Sequence, residues 1–172
     1  MIKINLNQDI VDYSVSLVDK HNFGQRGKDD GNKIEQYVGV ISENTVRSYL
    51  GFNLIQPKGF DGGYDILYNG LKLDIKSMNR TVDPKPEYIN NVFDVQIKYN
   101  CDGYIFTSLN KKDKTLTICG WITKKDFINK AILYKKGTIR NRGGSTFKLK
   151  ADNWEILNSQ LNKIRTNADN RK

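Results

Sequence analysis

A chain of 172 residues with 28 Lys or Arg against 19 Asp or Glu carries a formal net charge of +9. The length fits one domain that can bury about 70% of its unfolded surface without staples, and 38% apolar with 27% charged residues is the balance of a globular protein, not of a disordered or fibrous one. One histidine excludes zinc motifs and catalytic sites that need two, and no apolar run approaches the roughly 20 residues of a membrane span.

The basic excess points to a polyanionic partner, most often nucleic acid. Residues 1–6 show no signal-peptide pattern. Cys101 and Cys119 form neither a metal-type pair nor a disulfide framework. The expected setting is therefore the cytoplasm, with both cysteines as free buried thiols.

Taken in order, residues 2–6 alternate as a short strand. Asn7 can cap a helix over residues 8–20, with His21 just past its end in a capping or loop role. Residues 22–31 read as a polar, Gly-rich loop. A second helix is predicted from about Asn32 to Leu50, with Ile34, Val38, Ile41 and Thr45 on one stripe and Gly51 as the stop. Residues 52–55 read as a short strand and 57–63 as a turn in which Asp61 takes a turn role.

Asn69-Gly70 between two alternating runs is the strongest short-range hairpin signal, because both turn residues take positive φ. A two-residue loop sets Tyr68 opposite Leu71 and, counting outward, Asp65 opposite Asp74. Tyr64, Ile66, Tyr68, Leu71, Leu73 and Ile75 then share an apolar face, while Asp65, Asp74 and Lys76 share the other. Opposed side chains are roughly 5 Å apart at Cβ, where like charges destabilise. A divalent cation between the carboxylates would explain the pairing; the alternative is a solvated polar face.

Beyond Ser77 the chain is predicted to be irregular. Residues 91–100 read as a short helix, 103–108 and 116–122 as strands joined by a charged turn, and Asp102 as a turn residue. Thr123 opens a helix to about Tyr134. Residues 135–144 read as a basic loop, and 146–149 with 154–157 as a final hairpin or strand plus turn. The expected domain covers residues 1–161, and 162–172 a disordered tail.

The element order, with Asp65 and Asp74-Ile75-Lys76 on successive strands, resembles the PD-(D/E)XK nuclease superfamily. The segment 39–51, with Glu43 seven residues before Leu50, resembles the helix that supplies an acidic residue in that family. Residues 119–123 and 135–137 look like small phage-encoded members. The core resemblance covers residues 32–108; the proline before the first Asp is replaced by Tyr64.

The resemblance implies an α/β, restriction-endonuclease-like fold with a mixed central sheet flanked by helices. It implies Mg²⁺-dependent hydrolysis of DNA phosphodiesters, with Mn²⁺ able to substitute, by a phage-encoded endonuclease in a bacterial cell. The products would carry 5′-phosphate and 3′-hydroxyl ends. Asp65, Asp74, the backbone carbonyl of Ile75 and Glu43 would hold the metal. Lys76 would orient or deprotonate the attacking water, or stabilise developing charge; its plainer role is an ion pair with Asp74 or Asp65. Glu35 competes with Glu43, eight residues away and about 80° around the helix.

Gln96 is the glutamine that in some relatives reaches the site. Arg80, Lys85, Lys135, Lys136, Arg140 and Arg142 are expected to contact phosphates, which position a substrate without reading its sequence. Trp121 and Trp154 are expected in the core. No membrane partner is expected, and a homodimer would let so small a chain cut two strands. The alternatives are an inactive nucleic-acid- or protein-binding module on the same fold and an RNA-directed nuclease.

Overall fold

The structure, a computed structural model, describes residues 1–23, 32–56, 63–142 and 144–164. The described residues form a mixed α/β architecture of three α-helices and ten strands. The strands are β1 (Ile2–Asn5), β2 (Ile66–Tyr68), β3 (Leu71–Arg80), β4 (Ile89–Phe93), β5 (Gly103–Asn110), β6 (Thr115–Thr123), β7 (Ile132–Tyr134), β8 (Ile139–Arg142), β9 (Ser145–Lys148) and β10 (Asn153–Leu157). The helices are α1 (Gln8–Lys20), α2 (Lys33–Leu50) and α3 (Lys124–Lys130). Among the described residues no helix is long and apolar enough to cross a membrane.

Local capping fixes the first two helices where the sequence placed them. The Asn7 side chain accepts from Asp9 N–H, and His21 closes α1 by donating its N–H to the Leu17 carbonyl at 2.9 Å. Asn32 and Glu35 form a reciprocal capping box at the start of α2. Gly51 ends α2 with its N–H on the Arg47 and Ser48 carbonyls.

The central sheet runs β1-β6-β5-β3-β2, with β3 parallel to β5 and every other pair antiparallel. One face carries Leu73, Ile105, Leu109, Leu116 and Ile118 against Val38, Ile41 and Val46 of α2. Asn44, fully buried, ties this layer together: its amide donates to Ser14 Oγ of α1 and accepts from Ile55 N–H. On the other face Tyr104, Phe106 and Ile122 pack with Phe127 of α3 and with Val92, Trp154 and Ile156 of a second sheet, β4-β10-β7. Both tryptophans are core packers, as expected, and Cys101 and Cys119 are free and buried.

Several predicted elements are corrected. Residues 52–55 are not a strand, and β3 continues past Ser77 to Arg80 because β5 pairs with it along its whole length. Residues 91–100 are not a helix. Ile89–Phe93 is a strand laid against β10, and Asp94–Gln96 is one turn of 3-10 helix. The helix opened by Thr123 stops at Lys130, since Ile132–Tyr134 pairs with β10 instead. The basic loop contains β8, which forms a hairpin with β9.

Residues 162–164 are not a tail. Asn162 bridges Trp121, and Ile164 is buried. Gly120, at φ 153°, permits this approach, because a Cβ there would lie 2.6 Å from the Asn162 carbonyl oxygen. The turn role of Asp61, most of the predicted loop over residues 22–31 and the rest of the predicted tail lie outside the described residues.

Candidate active site

The Asn69-Gly70 turn forms as predicted, with φ of 50° and 79°, and sets Tyr68 opposite Leu71, Leu67 opposite Lys72 and Ile66 opposite Leu73. The ladder then stops one residue short of the expected Asp65–Asp74 pair. Asp65 N–H bonds to the carbonyl of Leu73, the residue already facing Ile66. Two residues of one strand therefore oppose one of the other, the geometry of a β-bulge.

The bulge reverses the alternation upstream. Tyr64, expected beside Ile66, packs instead on the Tyr104–Phe106 side, with Lys72 Nζ 5.4 Å from its ring centroid. Released from the ladder, the Asp65 carboxylate accepts from Ile75 N–H at 2.6 Å through Oδ2. The N–H and C=O of a strand residue point to the same side. Ile75 therefore turns its carbonyl toward the same edge, whereas the Lys76 carbonyl faces β5 and accepts from Thr107 Oγ1.

Asp74 and Lys76 lie beside Tyr104 and Phe106 on the parallel strand. Asp74 is buried, and Lys76 Nζ sits 2.8 Å from its Oδ2. Glu43 reaches the cluster from α2. Arg47, one turn later, donates from Nε to Glu43 Oε1 at 2.7 Å and from Nη2 to the Asp65 carbonyl. A hydrogen bond of 2.7 Å between Ser42 Oγ and Ser77 Oγ holds α2 against β3 at this point. Glu35 is exposed and committed to the capping box, so of the two candidate helix acids Glu43 is the one at the cluster.

Burial of its carboxyl, then the negative charges of Glu43 and Asp74, push the Asp65 pKa well above the usual carboxylate value. An upward shift means that the folded state binds the Asp65 proton more tightly than the unfolded one. The stabilisation is complete below the ordinary carboxylate pKa and is lost as pH rises through the raised value. In EDTA, Asp65→Asn should therefore gain stability over wild type as pH rises from 4 to 8. The melting-temperature difference between the two chains should widen across that range. Parallel melting curves across that range would show that Asp65 carries no charge conflict.

Among the described residues no group of three or more His, Cys, Asp or Glu side chains is close enough to hold a metal ion by itself. Mg²⁺ needs less from a protein, typically one or two carboxylates completed by water and substrate oxygens. Asp65 and Asp74, near enough for one to raise the pKa of the other, fit that oxygen-donor set. Cys101 stands beside the cluster, and burial followed by the Asp74 charge pushes its thiol pKa up, away from nucleophilic use.

The remaining predicted residues fall elsewhere or are otherwise engaged. Arg80 donates to the Ile89 carbonyl at 2.7 Å and stacks 4.9 Å over Tyr88, so it ties β3 to the start of β4. Gln96 lies in the 3-10 turn, and no hydrogen bond joins its side chain to Asp65, Asp74 or Lys76. Asp102 precedes β5, where its carboxylate accepts from Lys72 N–H at 2.9 Å.

Lys135 pairs with Asp152 at 2.8 Å, and Arg140 with buried Glu155 at 2.9 Å. Lys85 and Lys136 have exposed side chains, and the Arg142 side chain lies outside the described residues. Arg47 was missed from the sequence; its one signal was the Glu43–Arg47 spacing of four. Set against protein-family profiles, curated proteins and solved structures, the chain matches none of them.

Proposed function

We propose that this chain is a metal-dependent nuclease that hydrolyses DNA phosphodiester bonds, built on a restriction-endonuclease-like fold of the PD-(D/E)XK superfamily. One observation carries the reading: Asp65, just before β2, sets its carboxylate on the N–H of Ile75, next to Asp74 of β3, and Arg47 ties Glu43 of α2 to the Asp65 backbone. Burial, and after it the charges of Glu43 and Asp74, hold the Asp65 carboxyl above its normal pKa range, and Lys76 pairs with Asp74. Selection for stability alone would separate such charges.

Asp65 and Asp74 would hold Mg²⁺, with the Ile75 carbonyl turned to the same edge and Glu43 behind it. When bound, the ion supplies polarisation of the phosphate and acidification of a bound water. The residues of the chain do the rest. Arg47 fixes Glu43 and the Asp65 backbone as one unit. Lys76, a donor of three hydrogen bonds, gives one to Asp74 and has two for the attacking water and a phosphate oxygen. The products would carry 5′-phosphate and 3′-hydroxyl ends.

The ion pairs Lys76–Asp74 and Glu43–Arg47 favour one second reading, a binding module in which the same charges only brace the hairpin. Magnesium titration separates the two. A ligand that binds only the native state at ten times its dissociation constant adds about 1.4 kcal/mol, or about 3–6 °C here. Wild type should show this rise and a binding heat, and both Asp65→Asn and Asp74→Asn should lose them. No rise and no heat with Mg²⁺ or Mn²⁺ at millimolar concentration would leave the bracing role.

A further inference from the structure

We infer that the β8–β9 ribbon is a groove-reading arm for duplex DNA, binding B-form DNA in preference to duplex RNA through the face formed by Ile139, Asn141, Thr146 and Lys148. This rests on the reading that the chain works on nucleic acid and adds both the contact surface and the kind of duplex.

Residues 135–151 hold six Lys or Arg and no Asp or Glu, so 17 of 172 residues contribute +6 of the net +9. The structure sorts these charges. Lys135 and Arg140 are spent on Asp152 and Glu155. Lys136, Lys148 and Lys150 stand exposed.

The ribbon pairs with no other strand among the described residues. It is held at its base by Gly137 N–H on the Leu149 carbonyl and Leu149 N–H on the Thr138 carbonyl, at 2.8 and 2.9 Å. Arg140 clamps one face of it down, with its guanidinium 3.8 Å from the Tyr134 ring centroid.

Register then decides what the other face presents. Arg140 pairs with Phe147 on the clamped face, so the alternate pairs, Ile139 with Lys148 and Asn141 with Thr146, point away from it. All four are exposed, Ile139 by 67%. The Thr146 hydroxyl donates to Asn141 Oδ1 at 2.7 Å and fixes the amide there.

An amide, an ammonium, a hydroxyl with its methyl and an aliphatic group are the side-chain types that read adenine, guanine and the thymine methyl in the major groove. That groove, about 12 Å wide, admits a two-stranded ribbon. The major groove of A-form RNA is too deep and narrow for side chains to read. The same arm is therefore selective for B-form DNA by shape.

The test is fluorescence anisotropy of the full-length chain in EDTA, where nothing is cut, on a DNA duplex and an RNA duplex of the same sequence across a salt series. Wild type should bind DNA at least tenfold more tightly than RNA. The double variant Asn141→Asp, Lys148→Glu should lose at least tenfold in DNA affinity at every salt concentration. Both positions are exposed, and an unchanged melting temperature confirms the fold.

Lys112→Glu, on the β5–β6 turn, serves as the charge control and should do far less. Equal binding of the two duplexes, no DNA binding at all, or a double variant no weaker than the Lys112→Glu control would overturn the inference. A chain that binds through the ribbon yet never cleaves in Mg²⁺ sinks only the nuclease reading. One that cleaves but ignores the ribbon variant sinks only this inference.

Discussion

Lys76→Ala is expected to slow DNA cleavage by about 10²–10⁴-fold, the range for a positioned acid–base or electrostatic group, while DNA affinity stays within a few-fold. The ammonium sits 2.8 Å from Asp74 and is one charge on a surface of net +9, so on the proposed function it would matter to the reacting phosphate far more than to the duplex as a whole. Removing it also leaves Asp74 buried without its counter-charge, a stress of the kind that costs several kcal/mol. Lys76→Gln therefore belongs in the same experiment, since its amide can still donate to Asp74. Both variants should be equally inactive, with Lys76→Gln the more stable. Equal losses of binding and cleavage would place Lys76 among the DNA contacts instead.

Arg140→Ala is expected to destabilise the fold by about 3–5 kcal/mol, lowering the melting temperature by about 6–20 °C. Its carboxylate partner Glu155 is 3% exposed, and the guanidinium both pairs with it and stacks on Tyr134. Arg140→Lys should recover only part of the loss, because an ammonium offers neither the planar stack nor the fork. Replacing Arg140 and Glu155 together with methionine should come close to wild-type stability, since it removes both buried charges. Thermal unfolding of the four chains checks this. A shift below about 0.5 kcal/mol for Arg140→Ala would return it to the pool of nucleic-acid contacts in which the sequence reading placed it.

Arg140 marks the limit of what the sequence shows, since its partners Glu155 and Tyr134 are not its neighbours in the local pattern. Signals complete within a few residues were legible. Asn7 and Asn32 as caps, Gly51 as a stop and Asn69-Gly70 as a turn gave both long helices and the hairpin register almost to the residue. Asp65, Asp74, Lys76 and Glu43 were brought together because they hang on those local elements.

What needed a distant partner was not legible. Ile89–Phe93 is a strand because β10, some 60 residues on, pairs with it, and nothing in its own pattern competes with a helix reading. Arg140 looks like any other cation in a basic stretch until Glu155 and Tyr134 close on it. The bulge at Asp65 lies between the two cases. A single hydrogen bond to Leu73 shifts Tyr64 to the opposite face and frees the carboxylate for Ile75, and alternation alone has no way to register the extra residue.

The central claim, that the hairpin-end carboxylates serve metal-dependent phosphodiester hydrolysis, is tested most directly on supercoiled plasmid. The intact chain is incubated with it in Mg²⁺, Mn²⁺ or EDTA, beside Asp74→Asn. Wild type should nick or linearise the plasmid with either ion and leave it intact in EDTA, and Asp74→Asn should leave it intact throughout. A folded wild-type chain inert with both ions, or cleavage that persists in Asp74→Asn or in EDTA, would contradict the account.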